Sequence, residues 1–172
     1  MGVSHKTKKN KLDKIIRELD KLEKKAVVAG ALKGDHKWLA HIHEFGCDIT
    51  VTPGIRAHLH SQGLHLKDST TRIRIPERSF LRSGYDKNRD RILNHGKMMM
   101  ADVTGGTMSA YKMLCAVGKE TSSGIKDCAQ ELRSPANHPF TIDQKGSSKP
   151  LVGKTGDSGH MIDGITYRVV DK

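Results

Sequence analysis

Among ten histidines, His41-x-His43 and His58-x-His60 with His65 have the residue type and the short spacing that a transition-metal ion would use. The first pair does not converge, because on a helix positions two apart stand about 200° apart, and His-Glu-Phe-Gly is not the H-E-x-x-H pattern that sets two imidazoles one turn apart. His58 and His60 would share one face of a strand, but no Cys pair or flanking carboxylate completes a local ligand set. They are read as exposed loop histidines, and neither a metal nor a cofactor is expected. Cys47 near His43, with Glu44 as orienter, is the nearest pairing of nucleophile and base. A glycine separates the two, and nothing resembles a nucleophile elbow. Gly153-Lys154-Thr155 lacks the upstream glycine and preceding strand of a phosphate cradle, and no H-x-E is followed by P-C-x-x-C. No catalytic residue is expected, and the chain is not read as an enzyme.

The basic residues offer a different chemistry. Arg72, Arg74, Arg78, Arg82, Arg89 and Arg91 cluster in sequence, where guanidiniums could contact phosphates, and Arg72, Arg74, Arg89 and Arg91 are the candidate phosphate contacts. Thirty Lys and Arg against nineteen Asp and Glu give a net charge of +11, a surface that attracts anions or acidic proteins without naming one. Against a nucleic-acid module, aromatics make up only 4%, too few for a stacking platform. Asp86, Asp90 and Glu77 are also close enough in sequence to pair several of the arginines. DNA binding through this cluster stands as the alternative reading, and a metal-dependent nuclease on the histidines as a third.

The elements that must position these residues follow from periodicity. With 172 residues the length predicts one domain, and 35% hydrophobic content predicts a thin core of Ile, Leu, Val, Met and Ala. Over residues 10–26, Leu12, Ile15, Ile16, Leu19 and Leu22 recur at helical steps, an amphipathic helix behind a basic leader over 1–9. Residues 26–32 read as a strand and Lys33-Gly34-Asp35 as a turn, and 37–45 as a short helix closed by Gly46. Residues 47–75 read as a hairpin or three short strands around a His-rich link, with Gly63 at the turn. From residue 79 to about 133 two long helices are expected, broken at Gly105-Gly106, with Thr107 able to cap the second. Gly118 and Ser122-Ser123-Gly124 should weaken that second helix. Residues 143–163 read as a mobile arm, and 165–170 as a strand that must pair within this chain or with a neighbour.

No window has the roughly 18 apolar residues of a membrane span, and no apolar run follows the N-terminus. The start MGVSHK matches a myristoylation signal only loosely. Cys47, Cys115 and Cys128, odd in number and far apart, suit reduced thiols in a cytoplasm. Cys115 and Cys128 fit as small core residues. The fold class expected is α+β: a small, mostly antiparallel sheet, a long helix pair on it, a β-hairpin insert and a C-terminal arm.

Three segments in order carry a resemblance: IHEFG at 42–46, IPERSFLR at 75–82, and KGSSKPL at 145–151 with TG at 155–156 before ITYRVV at 165–170. The chain resembles, through residues 40–170, the tail-completion or neck proteins of long-tailed bacteriophages, also described as minor tail or virion-morphogenesis proteins. It departs from their pattern at residues 157–162, where a segment with Leu and Arg usually stands. The 47–74 insert looks like the hairpin of a prophage-type subset.

The resemblance implies a structural role at the head-to-tail junction of a virion, assembled in the bacterial host cytoplasm. It implies a ring, six copies by analogy with the tail. The partners implied are further copies of the chain, a head-closure or connector protein, tail-terminator or tail-tube proteins, and DNA in the lumen, with no membrane. The motif residues it singles out are His43, Glu44, Phe45, Gly46, Pro76, Arg78, Phe80, Leu81, Arg82, Lys145, Gly146, Lys149, Pro150 and Leu151. Read as residues, Phe45 should be buried in a corner turned by Gly46, and Phe80 and Leu81 should anchor the long helix on the sheet. Arg78 and Arg82, one turn apart, should point together toward an acidic neighbour.

Overall fold

The computed structural model describes residues 5–34, 37–153 and 159–172. The first four residues of the leader and residues 154–158 of the arm, Thr155-Gly156 among them, lie outside the described residues, as does Asp35. The fold is α+β. Helix α1 (His5–Lys24) leads directly into strand β1 (Lys25–Ala31), followed by α2 (Lys37–Phe45), β2 (Cys47–Thr50), α3 (Pro53–Ser61) and β3 (Arg72–Ile75). The long helices α4 (Phe80–Gly105) and α5 (Ala110–Glu131) come next, then α6 (Pro139–Lys145), α7 (Gly159–Asp163) and β4 (Ile165–Asp171). The first helix thus begins inside the expected leader, and Lys25 and Ala26 belong to the strand.

Among the described residues two antiparallel pairs make up the sheets, β1 with β4 and β2 with β3. The terminal strand finds its partner within the chain, with Val28 opposite Arg168 at the centre of the β1–β4 register. That pair lies on α5, and α4 lies antiparallel to α5. Phe80 is the aromatic anchor of the main core, among Ala40, Ile125, Ala129, Leu151, Met161, Ile162 and Ile165. A smaller cluster of Met99, Val103 and Met113 closes the far end of the helix pair against Leu22.

Three expectations are corrected here. α5 runs unbroken through Gly118 and Ser122-Ser123-Gly124, and the two glycines are contact points: a Cβ on Gly118 would fall 2.3 Å from Tyr167 Cδ2, and one on Gly124 2.6 Å from Asn88 Nδ2. Close approach of neighbouring elements outweighs the helix-propensity penalty of about 1 kcal/mol. The 47–75 insert is a β2–β3 ribbon tipped by a helix, because Pro53 occupies the first turn of α3, where its missing N–H costs nothing, and Thr52 Oγ1 accepts from Ile55 N. Gly63 does turn the chain, at φ +89°. The described part of the 143–163 segment is folded, with Pro150, Leu151, Met161 and Ile162 buried in or beside the main core, since its few apolar residues are spaced to reach that core.

Candidate functional site

The start of α4 is where the motif residues meet. A helix leaves its first N–H groups without partners, and Ser79, at the N-cap position, does not supply one; its hydroxyl donates to Glu77 Oε1 at 2.5 Å. Glu44, brought in on the last turn of α2, does so instead. Its carboxylate accepts from Leu81 N at 2.8 Å and Arg82 N at 3.1 Å, and from Arg82 Nε at 2.8 Å. Glu44 is 1% exposed, so a buried anion is matched by two backbone donors, the positive end of the helix dipole and a guanidinium. Gly46 allows the chain to leave α2 here: its φ is +75°, and a Cβ would stand 2.9 Å from Glu77 N and from Ile75 O.

Arg78 holds the second half of the site. It is 6% exposed and donates through Nε to Pro135 O at 3.1 Å, through Nη2 to Asn137 Oδ1 at 2.9 Å and through Nη1 to His43 Nδ1 at 3.1 Å. Because guanidinium has no acceptor, His43 Nδ1 must be the unprotonated nitrogen. Burial first, and then the charges of Arg78 and Lys145, hold the His43 imidazole down to about 4, so it is neutral at ordinary pH. Burial also lowers the pKa of Arg78, and burial with Arg78 nearby lowers that of Lys145. The network extends through Asn137 Nδ2 to Pro150 O at 3.3 Å, and Lys145 Nζ reaches the same carbonyl at 2.8 Å. Gly146 caps α6 at φ +61°, Lys149 N donates to Ser147 Oγ at 3.3 Å, and Leu151 enters the core. Segments 42–46, 75–82 and 145–151 are thereby tied into one hydrogen-bonded unit.

Several expectations about single residues are corrected. Phe45 is 55% exposed; the buried residue of that corner is Glu44, and the Phe45 ring lies against the Arg82 guanidinium, 5.0 Å from its carbon. Arg78 and Arg82 do not point together at a neighbour, because Arg78 turns inward and Arg82 bridges Glu44 and Glu77, the latter at 2.6 Å. Phe80 and Leu81 do anchor the helix, and Pro76 follows the end of β3. Cys128 is buried, whereas Cys115 is only half-buried.

The arginine cluster is dispersed. Arg72 and Arg74 lie exposed on β3 and Arg89 exposed on α4, while Arg91 Nε pairs with Glu120 Oε1 at 3.2 Å. Asp86 and Asp90 form no ion pair among the described residues. His58 and His60 stand on α3 and not on a strand. His60 Nδ1 meets His65 Nδ1 at 2.7 Å, and among the described residues no group of three His, Cys, Asp or Glu is gathered. No helix among the described residues is long and apolar enough to cross a membrane.

Sequence reasoning missed Glu18 and Asn137. Glu18 Oε2 accepts from Ala110 N at 2.7 Å at the start of α5, beside the Ser109 cap, and its bond to Lys21, then that to Ala110, lowers its pKa. Its polar side chain on the inner face of an amphipathic helix was the available signal. Thr107, the expected cap, donates to Asp102 O at the end of α4. Comparison of the chain with protein-family models, with curated proteins and with solved structures finds no match.

Proposed function

We propose that the protein is a structural virion component of a tailed phage or prophage, acting in tail completion or head-to-tail joining at the neck as a ring subunit. The observation that carries the reading is the convergence of residues 42–46, 75–82 and 145–151. These are the segments of the family resemblance, separated by up to about a hundred positions in sequence, and they form one unit through Glu44, Arg78 and Asn137. The side chains of Glu44, Arg78, Arg82 and Lys145 are engaged in helix capping and loop tethering, which suits a scaffold. The scaffold fixes the starting geometry of α4 and of the β2–β3 ribbon, and so leaves contact with neighbours to exposed elements.

The test is the mass of the purified full chain by light scattering, alone and mixed with head-closure and tail-terminator proteins, with bound nucleic acid followed by absorbance ratio. A defined ring or a stable co-complex free of DNA is the expected result. A chain that ignores both proteins and holds DNA in a salt-sensitive way, lost on replacement of Arg72 and Arg74, would overturn it in favour of the DNA-binding alternative.

A further inference from the structure

We propose that the open groove between β1 and α4 receives the β2–β3 ribbon of a second copy of the chain, which adds a strand to the free edge of β1. Among the described residues β1 pairs with β4 alone, along one edge, and its other edge borders a groove of about 780 Å³ lined on the helix side by Tyr85, Leu93 and Val117. Edge strands that stay unpaired are usually blunted by a charge, a proline or a bulge. From Ala26 to Ala31 β1 has no charge and no proline, and Val28 at its centre is 45% exposed. What matches an open strand edge is another strand, since its backbone groups seek ladder partners.

The layers decide which strand fits. β1 and β4 carry α5 against one face, so neither strand of a second copy can lie in a groove already floored by α4 and α5 without driving helix into helix. The ribbon carries no such layer: among the described residues its two strands pack chiefly on each other. Charge agrees. Arg72 and Arg74 are exposed on the ribbon without an ion pair among the described residues, and so are Asp86 at the groove and Asp90 one turn beyond it. The contact joins two different surfaces, so it is head to tail and generates a ring where the rotation closes. It deepens the assembly role proposed above and rests on its premise that copies of the chain associate.

The test is sedimentation velocity of the full chain at rising concentration, with Arg72→Glu/Arg74→Glu, Asp86→Arg/Asp90→Arg and Val28→Lys, all at exposed positions. The wild type should associate, each variant should weaken association tenfold or more, and an equimolar mixture of the two charge-reversed proteins should regain it. A wild type that stays monomeric, a mixture that does not recover, or charge-reversed variants that associate normally would each overturn the proposal. Normal association of the charge-reversed variants with loss in Val28→Lys would assign the edge to β1 of the second copy. Association without any binding to head-closure or tail-terminator proteins would remove the neck reading and leave the ribbon contact standing.

Discussion

Glu44 is the residue on which the site depends most directly. Its carboxylate is the N-terminal cap of α4, and removing it leaves two part-buried backbone donors without that acceptor. Glu44→Ala should therefore lower stability by about 2–4 kcal/mol, and Glu44→Gln, which keeps an acceptor but not the charge, by about half of that. Chemical denaturation reads both, and an alanine variant within about 0.5 kcal/mol of wild type would contradict the capping role. His43 makes a pH prediction. Unfolded, it takes its proton near 6.5, and folded only near 4. Between those values the unfolded chain binds more protons, so stability is full above the unfolded value and declines as pH falls toward 4. The loss from this group is on the order of 2–4 kcal/mol. His43→Gln still offers Arg78 an acceptor but does not titrate, and urea melts across pH 7 to 4.5 should show a flatter decline; parallel curves for the two proteins would dissociate His43 from it. Neither role was legible in the local sequence, because Thr107 looks like a cap and Glu44 and Glu18 do not, and because His43 meets Arg78 across 35 positions. The distance from a carboxylate to a remote helix start is a tertiary quantity.

At the scale of elements, the glycines of the helix pair divide into two kinds. A Cβ on Gly84 would stand 2.7 Å from Ile125 Cα, a backbone atom that cannot yield without moving α5, whereas one on Gly96 would meet Val117 Cγ2 at 3.8 Å, an ordinary contact. Gly84→Ala should cost about 2 kcal/mol or more despite the better helix propensity, and Gly96→Ala should stabilise by about 0.5–1 kcal/mol. Opposite signs in thermal unfolding are the expected pattern, and equal effects would mean that α4 and α5 are not held at this separation. The existence of both helices was legible from their apolar spacing, as was the break at Gly105-Gly106. The reason for the interior glycines was not, since propensity reports what a glycine costs the helix and not which neighbour occupies the space.

At the scale of the molecule, the body and the insert are separable. Replacing residues 51–71 with a two-residue Asn-Gly turn, which keeps β2 and β3, should leave the melting temperature of the body within a few degrees of wild type. A cooperative loss of the whole fold in that variant would show that the insert is part of the core. The sequence by itself determined that the chain is α+β, that a long helix pair dominates it and that its core is sparing in aromatics. It also settled where the breaks at Gly46 and Gly63 fall, because periodicity and glycine placement are local properties of the backbone. Tertiary structure alone decided that the described part of 143–163 folds back through Leu151 and Met161, that Phe45 is outside while Glu44 is inside, and that β4 closes on β1. It alone also turned Arg78 inward to join segments that lie far apart in sequence. Each of those outcomes depends on which surfaces meet after the chain has folded, and a buried charge is tolerated only where its partners, supplied from elsewhere in the chain, happen to converge.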